Sequence, residues 1–126
     1  MDFIIRMGIP EMKERWNHLV AGHKCGTLSK GEEQLYQKWG KAMRLLSLNP
    51  LHPSLHSHEI PPLSNRYGQK VWQSYLENRT STAKRMYWVY GPGRGEITVI
   101  GLEPHPEDAK NGGYDKVTLS ETGEII

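Results

Sequence analysis

The 126-residue chain has one cysteine, Cys25. No internal disulfide can form, so a packed core must hold the fold, and a reducing compartment is expected. Long apolar runs are missing too. The opening MDFIIRMGIP is broken by Arg6 before any signal-peptide core develops, and nothing approaches the roughly 18 consecutive apolar residues of a membrane span. The expectation is a soluble, cytoplasmic protein without a membrane partner. There is no HExxH pair, and a single cysteine excludes a thiolate-rich metal site. The glycine-rich GPGRG, residues 91–95, lacks the GK[ST] of a phosphate loop and joins strand to strand instead of strand to helix. No internal repeat or low-complexity segment is visible. Hydrophobic residues are sparse at 37%, but four tryptophans and six tyrosines supply large apolar surfaces, so the chain is expected to fold. Its length suits one domain spanning residues 1–126.

Phe3-Ile4-Ile5 suggests an opening strand, and Pro10 suits the first turn of a helix. Met12, Trp16, Leu19 and Val20 then fall on one helical face, with Gly22 as the expected stop and residues 21–28 as a loop. Ser29 and Glu32 have the spacing of a capping box. Leu35, Trp39, Ala42, Met43 and Leu46 form a second apolar stripe, with Lys38, Lys41 and Arg44 toward the C-terminal end, and Asn49-Pro50 ends that helix. Strands are expected at 55–60, 71–76, 85–90 and 95–103. In the last, Ile97 and Val99 are assigned to one face and Ile100 and Leu102 to the other. Lys116 to Leu119 is a candidate edge strand ahead of a loose end. Helices grouped before strands indicate an α+β fold, a small curved antiparallel sheet of four to five strands with an N-terminal pair of helices on one face.

Charge is distributed unevenly. Residues 1–90 carry 13 Lys/Arg against 7 Asp/Glu, a net of +6; residues 91–126 carry 3 against 7, a net of −4. The basic part suits a polyanion, and residues 106–126 form an acidic C-terminal extension. Half of the six histidines lie in LHPSLHSHEIPPL, residues 51–63. On a strand His56 and His58 would share a face, a spacing that serves a metal if His52, His105 or a carboxylate joins them, or serves proton transfer. His105 follows the clearest strand, where Glu103, Glu107 and Asp108 should favour its imidazolium form and hence a general-acid role. Arg66, Lys70, Arg79, Lys84, Arg85 and Arg94 are candidate phosphate contacts, interleaved with aromatic residues able to stack on bases.

NPLHPSLHSHEI, VWQSYLENRTSTAKRMYWVY and EITVIGLEPHPED, taken in order over residues 42–108, resemble the RelE/ParE-like toxin superfamily of bacterial toxin–antitoxin modules. The resemblance implies a curved sheet with two helices on it. It also implies metal-independent and cofactor-independent endoribonuclease action on mRNA, generally on the ribosome, and neutralisation by a bound antitoxin. Matched position by position, His105 would be the general acid, His58 the early histidine or basic residue, Arg85 the phosphate-binding arginine and Tyr75 a catalytic polar residue. The sequence departs from the pattern at Glu59, where the superfamily usually has a cation, and at Pro61-Pro62. Gyrase-inhibiting and inactive members also exist, which leaves a non-catalytic RNA- or protein-binding module as the alternative.

Overall fold

The computed structural model describes residues 2–76, 84–104 (backbone only at 103 and 104) and 118–123. Strand β1 is Ile4–Met7, followed by helices α1, Glu11–Cys25, and α2, Lys30–Leu48. A single 3-10 turn at Pro53–Leu55 leads to the two-residue strand β2, His58–Glu59, and to a short helix α3, Pro61–Tyr67. Strands β3, Trp72–Tyr75, β4, Lys84–Tyr90, and β5, Glu96–Pro104, complete one five-stranded sheet in the order β1-β5-β4-β3-β2. The fold is α+β with the two long helices ahead of most of the strands, as expected. The sheet is mixed, however, because β1 runs parallel to β5. The long α1–α2 hairpin returns the chain to the sheet, which a parallel neighbour requires. No described helix is long and apolar enough to cross a membrane.

Helix α2 forms where its sequence dictates. Ser29 Oγ accepts from the Glu32 amide and Glu32 Oε1 accepts from the Ser29 amide, both at 3.1 Å, closing the capping box. The bond from the Ser29 backbone, with His18 adding to it, holds the Glu32 carboxyl below its ordinary value. All five residues of the apolar stripe, Leu35, Trp39, Ala42, Met43 and Leu46, are buried. Lys38, Lys41 and Arg44 lie short of the last turn, which has no basic residue, so they gain little from the helix dipole. Helix α1 runs past Gly22 to Cys25 and stops at Gly26, whose φ of 69° is left-handed. Gly22 is not a stop but a contact: a Cβ there would collide with Leu28 Cδ2.

The sheet is packed on both faces. Against α1 and α2 lie Met86, Trp88, Ile97, Val99 and Leu102. On the opposite, outer face Tyr87, Val89 and Ile100 pack with Ile60, Leu63 and Val71 around α3. Leu102 therefore shares a face with Ile97 and Val99, and Ile100 does not share one with Leu102. The cause is a bulge: Tyr87 pairs with Gly101 but Trp88 with Val99, so one extra residue reverses the alternation.

Residues 118–123 are not a loose end. Ser120 N donates to Ile100 O, Ile9 and Glu121 exchange two backbone hydrogen bonds, and Tyr67 Oη donates to Ser120 O at 2.7 Å. Gly8 and Gly101 make room for this segment; a Cβ on Gly8 would lie 2.7 Å from Ser120 Cβ. Burial, with the Glu121 carboxylate adding to it, raises the Tyr67 phenol above its ordinary value. Of the candidate edge strand, 116 and 117 lie outside the described residues; Thr118 and Leu119 are not in a strand.

Candidate functional site

The outer face of the sheet has a closed end under α3 and an end that the described residues leave open. Alternation along β3 and β4 decides what the open end displays. Trp72 and Ser74 point toward the helices, so Gln73 and Tyr75 point outward; Met86 and Trp88 point inward, so Arg85 and Tyr87 point outward. Register then brings three chain segments together: Tyr75 is opposite Arg85, and His58 is opposite Gln73.

The side chains follow. The Arg85 guanidinium carbon sits 4.0 Å from the centre of the Tyr75 ring, a cation–π stack. The His56 ring lies 5.4 Å from Tyr75 and the His58 ring 6.4 Å, edge-on at 78°. His58 Nδ1 is 3.0 Å from the His56 carbonyl oxygen. A carbonyl only accepts, so Nδ1 carries a proton, and in the neutral ring the lone pair falls on Nε2. His58 is exposed.

A partly buried chain of hydroxyls fixes the histidine loop to the sheet. Trp88 Nε1 donates to Ser74 Oγ at 2.8 Å, Ser74 and Ser57 hydroxyls are 2.6 Å apart, and Ser57 Oγ donates to Pro50 O at 2.7 Å. Because the chain ends on a carbonyl, Ser74 must donate to Ser57. Ser57, between the two histidines, thereby ties both to the middle of the core. The loop also holds His56 at a φ of 49°, an uncommon conformation for a residue with a Cβ. His56 is thus not on a strand, and it reaches Tyr75 by a left-handed turn instead of by sharing a strand face with His58. His52 is a turn residue: its Nδ1 accepts from the Ser54 amide.

Among the described residues, no three His, Cys, Asp or Glu side chains converge in a way that could hold a metal. Glu59, adjacent to His58, has a structural partner. Its Oε2 accepts from Ser64 Oγ at 2.8 Å, and that same Oγ accepts from the Val71 amide, joining β2, α3 and the lead into β3.

Comparison with protein-family models, curated proteins and solved structures gives no match for this chain.

Of the residues singled out in the sequence, His58, Tyr75 and Arg85 are brought together. His105 and Arg79 lie outside the described residues. Lys84 belongs to the other face, in a cleft with Arg15, His18 and Leu35. Arg66 borders a crevice with Tyr67, Gln69 and Glu121 at the closed end. Lys70 and Arg94 are exposed near the hairpin end of β4, since Gln69 Nε2 donates to Tyr90 O and Arg94 lies in the turn after it. At about 3.4 Å per residue, that end is roughly 17 Å from Arg85. Two participants escaped sequence reasoning, His56 as a ring beside Tyr75 and Gln73 beneath His58. The i, i+2 spacing of Gln73 and Tyr75 in VWQSY was the available signal for the second.

Proposed function

We propose that this protein is a cytoplasmic, metal-independent endoribonuclease of the toxin type, acting on mRNA and held in check by an antitoxin. One observation carries the reading: an arginine stacked on a tyrosine, with an exposed histidine beside it whose Nδ1 lies 3.0 Å from a backbone carbonyl, at the end of the sheet's outer face away from α3. The resemblance of residues 42–108 to RelE/ParE-like toxins and the α+β arrangement support it.

In this reading His58 Nε2 takes the proton of a ribose 2′-OH. The 2′-oxygen attacks the adjacent phosphorus, the P–O5′ bond breaks, and His105 gives a proton to the leaving 5′-oxygen. The products are a 2′,3′-cyclic phosphate and a 5′-hydroxyl. Arg85 stabilises the extra negative charge on the pentacovalent phosphorus, and Tyr75 holds the guanidinium in place. Tyr75 and His56 also offer ring faces on which a base can stack. No metal or cofactor enters this scheme.

Expression without an antitoxin tests this. Growth arrest that is relieved by Arg85→Ala or His58→Ala is the expected result. Normal growth with abundant folded protein would count against the reading. Glu59 beside His58 favours one other reading, RNA binding without cleavage. Salt-sensitive binding of uncut RNA would select it, because phosphate contacts weaken as salt rises.

A further inference from the structure

Gln73 is fully buried in the middle of the outer face, between His58 on one neighbouring strand and Tyr87 on the other. A buried amide carries a desolvation cost that an apolar residue of the same size avoids, unless its polar atoms are satisfied. The Gln73 amide is only half satisfied. Its Nε2 lies 3.5 Å from His58 Nε2, and its Oε1 has no hydrogen-bond partner among the described residues.

Both ends of the His58 ring are read consistently. The His56 carbonyl requires a proton on Nδ1, and an amide nitrogen, which only donates, requires a lone pair on Nε2. The contact at 3.5 Å is long, so it orients the lone pair without sequestering it. When His58 takes up a proton, Nε2–H needs an acceptor. The terminal torsion of glutamine is broad and nearly two-fold, so a half-turn exchanges the amide nitrogen for the orphan oxygen at the same place. Among the described residues, the other titratable or charged groups around His58 are differently engaged. His56 supplies its backbone carbonyl, Tyr75 stands edge-on, Arg85 lies over Tyr75, and Glu59 Oε2 accepts from Ser64.

We propose that Gln73 is a positioning residue for His58: its buried amide selects the tautomer with the lone pair on Nε2 and, by turning over, accommodates the imidazolium as well. The inference deepens the reading of His58 as proton acceptor and rests on it for its functional meaning.

Histidine tautomers are read by long-range proton–nitrogen NMR on the full chain without RNA, with His58 assigned by comparison with His58→Ala. In the unsubstituted protein, neutral His58 is expected to be mainly the Nδ1–H form. Gln73→Met should lower the ratio of the two tautomers by about twofold or more, because one of the two constraints is gone. Gln73→Glu, which offers an acceptor alone once ionised, should keep His58 protonated to higher pH than in the unsubstituted protein. A predominance of the Nε2–H form in the unsubstituted protein would overturn the proposal, and that measurement does not depend on how well the variants fold. Unchanged tautomer ratio and titration in folded Gln73→Met and Gln73→Glu would overturn it equally. Cleavage of RNA by the unsubstituted protein is scored separately, so the endoribonuclease reading and the role of Gln73 can fail independently.

Discussion

The outer face of the sheet is treated in two ways along its length. At one end α3 covers it with Ile60 and Leu63, and Tyr87, Val89 and Ile100 beneath are buried. At the other end none of the described helices covers it, and His58, Tyr75 and Arg85 stand on the same strands in the same alternation. The difference is one of sequence at equivalent positions: apolar side chains where α3 lands, polar and aromatic ones where no described helix does. The first arrangement stabilises the fold. The second leaves Tyr75 and Arg85 half-buried and His58 exposed, and it can do so because the face behind it is closed by Trp39, Met86 and Trp88 against α1 and α2.

If the division is real, substitutions at the two ends should separate stability from activity. Leu63→Ala at the closed end should cost about 3 kcal/mol in denaturant unfolding, the usual loss for emptying a fully buried leucine site. It should leave any RNA cleavage by the folded fraction intact. Arg85→Ala at the open end should do the reverse. The change in unfolding free energy should be about 1 kcal/mol or less, and the cleavage rate should fall by about 100-fold or more, the usual effect of removing a group that stabilises developing charge. Ser74→Ala lies between the two ends. It removes the acceptor for the Trp88 indole and the donor to Ser57, so it should cost about 2 kcal/mol and also loosen the histidine loop, visible as faster amide exchange around Ser57. Ser29→Ala, remote from both ends, should cost about 1 kcal/mol through the lost helix cap and leave His58 unaffected.

The smallest effect concerns pH. The Tyr67 phenol is raised in the folded state, so folding favours its neutral form. Its contribution is complete below the unfolded value of about 10 and is lost as pH rises through the higher folded value. Tyr67→Phe should therefore show a shallower alkaline loss of stability than the unsubstituted protein, when thermal melting is followed from pH 9 to pH 11.

Local signals were legible in the sequence, and non-local ones were not. The period of α2 identified all five of its buried residues, and the Ser29–Glu32 spacing its first turn, because both are properties of a single helix. Helix α3 was hidden by Pro61-Pro62, which resembles a turn. Prolines are accommodated in a first helical turn because their missing amide hydrogens would have had no partner there. Gly22 looks like a stop in the sequence because what makes it glycine, the approach of Leu28, depends on how the chain turns back after Gly26. The bulge in β5 likewise depends on pairing with β4, and simple alternation placed Leu102 on the wrong face. For the site, His58, Tyr75 and Arg85 were named from family resemblance, and their adjacency is a matter of register between three strands. His56 was given a strand face it does not have, since nothing in LHSHE announces a left-handed residue.

The most direct measurement is of the ends of a defined RNA after incubation with the purified protein, alone and with translating ribosomes. New 2′,3′-cyclic phosphate and 5′-hydroxyl ends, formed in the presence of chelator and lost in Arg85→Ala, are the predicted result. Intact RNA under both conditions, from protein whose Tyr75–Arg85 stack is shown to be in place, would contradict the account.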